Sequence, residues 1–220
     1  MANRAEPTTT LTRGYPPPPW TLWGSALAAS FLVQSSAVEG LVPPPLKLLK
    51  LPGSRAFGQL AIARYGAGST LEYSELIATV LVRYGVRIAS YVTHIAVDNS
   101  RSQRGGHEIW HLPKQFWRFE WNLEPPEAGV RVWDGARLVC AINRAPLNAR
   151  FWPIRTRLPV LVPTDEGVSL LSSEIDARFA RVAWQLQPGP DGPLAGFKPA
   201  GRLLTTAMKG RLHIPALQPL

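Results

Sequence analysis

The chain has 220 residues, 45% of them apolar, enough for one domain with a sizeable core. Its 18 glycines and 22 prolines are too many for a helical protein and suit strands joined by turns. The net charge of +9 is scattered singly, with no run of four or five Lys/Arg and no nucleic-acid signature. The charge is therefore read as a basic surface that draws in small anions or simply as an arginine-rich composition, and nucleic acid is set aside as a partner.

Residues 1–15 are polar and unpatterned, a flexible N-terminal arm, and Pro16–Pro19 stiffen the entry into a folded region spanning 16–220. Arg4, Arg13 and the apolar Leu22–Val33 mimic a signal peptide, but the prolines separate them and Gly24-Ser25 break the run. Trp20–Gln34 reads as a long, largely buried strand. A short helical turn around Ser36–Leu41 follows and stops at Pro43-Pro44-Pro45. No apolar segment approaches the roughly 18 residues needed to span a bilayer, so no stable membrane insertion is expected.

Phe57–Tyr65 alternates and ends at Gly66-Ala67-Gly68. Glu75–Tyr84 and Val86–Val97 are rich in Val, Ile and Tyr and meet at Gly85, which predicts two strands joined by a tight bend. Phe116–Asn122, Val130–Trp133 and Leu138–Asn143 continue the pattern, the last two joined by the hairpin signal Asp134-Gly135. Val160–Val162, Gly167–Leu171 and Arg178–Gln187 are read as short strands. Pro188–Pro193 is a loop, and the tail around Leu203, Leu204 and Met208 is one more strand or helical turn. The sum is a mainly β domain. The one cysteine, Cys140, sits in an apolar run; it is read as a buried hydrophobe in a reducing, cytoplasmic setting.

Three motifs carry candidate chemistry. His107-Glu108-Ile109-Trp110-His111 matches H-E-x-x-H, a zinc hydrolase signature that needs both histidines on one face of a helix. Gly105-Gly106 before it and Pro113 after it leave room for about a turn and a half of helix, and no third ligand is signalled; no metal site is assigned. Gly66-Ala67-Gly68 lacks the third glycine of a dinucleotide fingerprint and leads into a strand, so it is a turn. Lys114 is one of only five lysines and stands among Trp110, Leu112, Pro113, Phe116 and Trp117. Such a lysine either snorkels past an aromatic patch or is buried for its chemistry. An ordinary lysine is free amine in only about 1 molecule in 2,500 at pH 7. Loss of water favours the neutral amine, which adds to a ketone to form an imine.

Tyr73-Ser74-Glu75, Val97-Asp98-Asn99 and Gly106-His107-Glu108 leading into Pro113-Lys114 resemble the acetoacetate decarboxylase family. That family places an acidic residue after an aromatic, an aspartate near a strand end, and Gly-Arg-Glu before Pro-Lys. The spacing from Glu75 through Lys114 matches without a gap, and Leu41-Val42-Pro43 fits its helix-then-proline element. The resemblance covers most of residues 20–190.

It implies a β-rich α+β, single-domain antiparallel cone-like β-barrel over residues 16–220, with a few short helices and an apolar internal pocket. It implies Lys114 as the imine-forming lysine and Glu75 as the pocket carboxylate. Glu108, His107 and Gln115 are supporting or substrate-binding residues, and no cofactor is required. Acetoacetate decarboxylase is itself a known example of a lysine activated by desolvation or a cationic neighbour. Three departures stand out: Gln115 replaces the family's second lysine, His107 replaces the arginine of Gly-Arg-Glu, and Trp20–Ser30 lacks the family's strand arginine.

Pro16–Pro19-Trp20, Gly24-Ser25-Ala26-Leu27 and Leu112-Pro113-Lys114-Gln115 also resemble the plant neoxanthin-deficient branch, which implies an apolar, isoprenoid- or lipid-like ligand. The expected activity is a Schiff-base decarboxylase or related C–C lyase acting on a small keto acid. A barrel binding an apolar ligand, and a zinc hydrolase through His107 and His111, are the alternatives. Self-association into a homo-oligomer is left open.

Overall fold

The computed structural model describes residues 14–122, 124, 128–144, 149–201 and 204–220. Most of the expected N-terminal arm, like Leu203, lies outside the described residues. The Leu- and Ala-rich segment after Pro16–Pro19 forms β1 (Trp20–Gln34), then α1 (Ser35–Val38), which continues as a 3-10 turn (Glu39–Leu41) up to the prolines. Two short strands, β2 (Lys47–Leu48) and β3 (Lys50–Leu51), precede β4 (Arg55–Tyr65), β5 (Tyr73–Tyr84) and β6 (Arg87–Val97). Helix α2 (Ser100–Trp110) leads into β7 (Lys114–Phe116), β8 (Arg118–Asn122), β9 (Gly129–Asp134) and β10 (Arg137–Arg144). The rest is β11 (Trp152–Thr164), β12 (Gly167–Arg181), β13 (Trp184–Pro188), β14 (Leu204–Ile214) and β15 (Gln218–Pro219).

The fold is mainly β, as expected. The larger sheet runs β2-β5-β4-β1-β14-β12-β11-β6-β7, and β5 also pairs with β6, so the pairings return on themselves as a ring. Neighbours are antiparallel except β6–β7 and β6–β11. The smaller sheet is β13-β10-β9-β8. One apolar cluster joins the two sheets, with Leu60, Ile62 and Leu76 from the larger and Val132, Cys140 and Ile142 from the smaller. Burial pushes the Cys140 thiol up to about 12, which leaves it protonated and inert at neutral pH. A second cluster gathers Tyr15, Trp20, Tyr73, Trp110 and Leu112 under α2. Among the described residues no helix is long and apolar enough to cross a membrane.

Turns fall where Gly and Asp predict them: Gly85 and Gly135 adopt φ of 57° and 59°. Three expectations are corrected. First, Phe116–Asn122 is not one strand. β7 belongs to the large sheet and β8 to the small one, and the chain changes sheets at the buried Trp117. Second, Val160–Val162 and Gly167–Leu171 are parts of the long ribbon β11–β12, paired from Trp152↔Phe179 to Thr164↔Gly167, and Arg178–Gln187 is split between the end of β12 and β13 of the small sheet. Exposure of eight successive residues, Trp152–Pro159, hides the alternation that marks a half-buried strand. Its prolines (Pro153, Pro159, Pro163) share one parity, so the missing N–H groups fall on one side of the strand.

Third, α2 runs straight through Gly105-Gly106, where helix seemed unaffordable. The Asn99 side chain caps it by accepting from the N–H groups of Arg101 and Ser102 (2.9 and 3.2 Å), and His111, with φ 49°, closes it. Packing explains the glycines. A Cβ on Gly105 would sit 2.7 Å from the Trp20 ring, and one on Gly106 would sit 2.4 Å from Cδ of Lys114. Trp20 is fully buried and lies edge-on to Trp110 at 4.7 Å, so it has nowhere to retreat. Tertiary contact thus overrides a helix-propensity cost of about 1 kcal/mol per glycine.

Gly105→Ala is therefore expected to lose about 1–2 kcal/mol of stability in urea unfolding, because overpacking outweighs the gain in propensity. Gly40→Ala, whose Cβ meets nothing within 4 Å, serves as the neutral control. Equal midpoints for the two variants would refute the packing account.

Candidate active site

Lys114 opens β7, in parallel register with Ile95 of β6, and alternation sends its side chain inward, where only 3% of it is exposed. The stem lies across Gly106 of α2. Nζ donates to Oε2 of Glu75 at 2.9 Å and to Oγ of Ser102 at 3.1 Å. It also lies 5.1 Å from the ring centre of Tyr73 and 5.9 Å from that of Trp20. The ammonium is thus enclosed by one carboxylate, one hydroxyl and two aromatic faces.

Glu75 comes from β5, between Ala63 of β4 and Val97 of β6, and is buried. Tyr65 donates to its Oε1 at 3.4 Å and Tyr73 to its Oε2 at 3.5 Å. The two phenol rings pack 5.0 Å apart, because Tyr65 and Tyr73 are cross-strand partners. Burial, and then the Glu75 charge, pushes both phenols well above their ordinary pKa, so they remain hydrogen-bond donors. The backbone between Tyr73 and Glu75 is pinned by Ser74. Its N–H donates to Asp98 Oδ1 at 2.6 Å, and its Oγ accepts from Trp121 Nε1 of the small sheet at 3.0 Å.

Of the residues singled out in the sequence, Lys114 and Glu75 meet directly. His107 acts on the backbone: its Nε2 lies 2.6 Å from the Lys114 carbonyl, which also accepts from Gln103 Nε2 at 3.2 Å. Glu108 points away from the amine, accepting a hydrogen bond from Tyr15 and lying 3.9 Å from Arg104. It fastens the segment before β1 to the helix. Gln115 is exposed, and it lines an open depression of about 530 Å³ together with Gln103, His107, Phe116 and Lys114 itself. A larger cavity, about 620 Å³, lies between Arg150, Trp152, Arg178 and Lys209 and contains none of these residues.

Four participants escaped the sequence reading: Tyr65, Tyr73, Ser102 and Trp20. Tyr73 was legible, since two residues from Glu75 on a strand means the same face. Ser102 and Gly106 are likewise i and i+4 on α2, once the helix is granted. The zinc geometry is not formed. His107 is still helical while His111 has turned into the left-handed region, and no three His, Cys, Asp or Glu side chains cluster among the described residues.

A family model described as acetoacetate decarboxylase matches residues 3–148 of this chain. No functionally curated protein matches in sequence. Among solved structures, an acetoacetate decarboxylase from Legionella pneumophila superposes with a TM-score of 0.71 at 15% identity, covering 100% of this chain and 98% of the other. A second acetoacetate decarboxylase gives 0.67 at 15% identity, covering 96% and 93%. The enduracididine biosynthesis enzyme MppR, complexed with pyruvate, gives 0.64 at 15% identity, covering 95% and 92%. At such identities the likeness is one of fold.

The buried ion pair makes a stability prediction. Lys114→Met strands the Glu75 carboxylate and is expected to cost about 3–5 kcal/mol in urea unfolding, whereas Lys114→Met with Glu75→Leu recovers most of it. Additive losses would mean that the two groups are not energetically coupled.

Proposed function

The chain belongs to the acetoacetate decarboxylase family, and from that premise we propose that Lys114 forms an imine with a small keto acid in a Schiff-base decarboxylase or related C–C lyase reaction. One observation carries the reading: a lysine amine, removed from water, in hydrogen-bond contact with a buried carboxylate. The keto-acid class is supported by MppR, a neighbour in fold, whose structures include complexes with pyruvate and with the condensation product of pyruvate and imidazole 4-carboxaldehyde. We take the ring of strands as the barrel typical of the family. The single buried cysteine suits a reducing, cytoplasmic setting.

The chemistry needs only the residues in place. From the resting ion pair, Nζ passes a proton to Glu75 across 2.9 Å, which frees the amine for addition. The free amine adds to the ketone carbon, and the carbonyl oxygen takes the amine proton to give a carbinolamine. Glu75 then returns its proton to that hydroxyl, water leaves, and a protonated imine remains beside the Glu75 carboxylate. In a β-keto acid the bond to the carboxylate breaks next, carbon dioxide departs, and the electron pair moves onto nitrogen as an enamine. Protonation at carbon and hydrolysis release the ketone and restore the amine. Tyr65 and Tyr73 keep Glu75 aimed throughout, and Ser102 orients Nζ.

A second reading follows from the aromatic walls, Trp20 and Tyr73, around Nζ and from the resemblance to the plant branch: the same site holds an apolar, isoprenoid-like ligand without covalent chemistry. Borohydride separates the two. Incubated with acetoacetate or pyruvate and reduced, the protein is expected to gain the adduct mass on Lys114, with none in Lys114→Ala, and Glu75→Gln is expected to slow trapping about 10²-fold. No adduct with any keto acid, together with saturable binding of an isoprenoid alcohol, would select the second reading.

A further inference from the structure

Charge is balanced on two neighbouring rungs of the larger sheet and left unbalanced on the third. Glu75 is in register with Ala63, and through it with Ala26, Met208 and Phe179, so this row shares the face that holds the site. Lys209 and Arg178 are each one residue away from members of that row, on β14 and β12, and so project from the opposite face. On that opposite face Arg157 lies across from Glu174 and donates to it at 2.9 Å. One rung on, Asp176 accepts from Arg155 at 2.8 Å and from Arg211 at 3.5 Å. The next rung reads Pro153, Arg178, Lys209, Ser25 and Arg64 across β11, β12, β14, β1 and β4, and contains no acid.

Arg178 and Lys209 stand directly opposite each other, an arrangement of like charges that destabilises a sheet. Two residues back on β12, Asp176 is already shared by two guanidinium groups. Among the described residues, neither cation has an ion-pair or side-chain hydrogen-bond partner, and the same is true of Arg150. These three side chains meet in the cavity of about 620 Å³ beside the start of β11. The rest of its lining is apolar: Ala149, Phe151, Trp152 and Pro153. Phe151 packs against the core between the two sheets, which fixes that wall. Small-molecule sites span about 300–1,000 Å³, and this recess falls within that range.

We propose that the recess binds a small organic phosphate, with the phosphoryl group held by Arg150, Arg178 and Lys209 and the carbon framework laid against Phe151 and Pro153. A lone carboxylate would offset one of the three charges. A phosphate monoester carries about −1.5 to −2 at neutral pH and presents three acceptor oxygens, which suits three donors converging from two strands and a loop. Each guanidinium can grip it through two parallel N–H···O bonds, while the lysine acts as a point charge. The bound anion also removes the repulsion across the Arg178–Lys209 rung. Because this face of the sheet is turned away from Glu75, the phosphate and a keto acid at Lys114 would not compete, and the proposal stands apart from the imine chemistry.

Equilibrium dialysis with phenyl phosphate tests the site, with benzoate and inorganic phosphate as comparisons. Phenyl phosphate is expected to bind once per chain and about ten-fold tighter than either, since benzoate lacks the second charge and inorganic phosphate lacks the apolar part. Arg178→Gln and Lys209→Gln are each expected to weaken it about ten-fold, the loss that goes with one charge-assisted hydrogen bond. Arg157→Gln, on a balanced rung, is expected to leave affinity unchanged. Phenyl phosphate is also expected to raise the melting temperature of the wild type but not of the Arg178→Gln, Lys209→Gln double variant. All three substituted side chains are exposed, so the variants keep the fold. Absence of saturable binding, or undiminished affinity in the double variant, would overturn the proposal. So would equal weakening by Arg157→Gln, which would reduce the effect to the overall positive charge of the chain, or equal affinity for benzoate.

Discussion

The ion pair between Lys114 and Glu75 is the contact around which the larger sheet and α2 are arranged. Two charges taken out of water are tolerated only if their remaining hydrogen-bonding capacity is filled. Ser102 and two aromatic faces attend the ammonium; Tyr65 and Tyr73 attend the carboxylate. Together with the pair itself they come from five elements, so β1, β4, β5, β7 and α2 are placed relative to one another by a requirement at a single point. Gly106 belongs to the same requirement, because any side chain there would occupy the path of the lysine stem.

Strands β1, β4, β5 and β6 and the hairpin β9–β10 were legible from apolar runs between clear turn residues, whereas the two-residue strands β2 and β3 were not. The ribbon β11–β12 was not: Arg155 and Arg157 on one face and Ile154 and Leu158 on the other are all exposed, so no polar–apolar period survives. At α2 the local rules pointed the wrong way. Glycine opposes helix, yet here it is what lets the helix lie against Trp20 and Lys114. Lys114 and Glu75 were found through the spacing that resembles a family; residue chemistry alone had left the lysine open between snorkelling and burial. Tyr65 and Ser102 required pairing and helix geometry that a linear reading does not supply.

Two of the family departures acquire physical meaning. His107 holds the Lys114 carbonyl, a task for a ring N–H, so replacing the arginine of Gly-Arg-Glu leaves β7 anchored. Gln115 is exposed in the depression beside β7, so a second lysine at that position in this backbone would be in contact with solvent, unlike the buried ion pair. Retention of the amine and its carboxylate thus does not depend on either replaced residue.

Ser74 sits between the two site residues of β5 and is gripped by Asp98 on one atom and by Trp121 of the small sheet on another. Any repacking of that outer sheet therefore pulls on the stretch that aims Tyr73 and Glu75. The aim of Tyr73 and Glu75 can thus be shifted by mutations far out on β8 to β10, without altering either residue. Divergence within such a scaffold is free to proceed from the periphery inward.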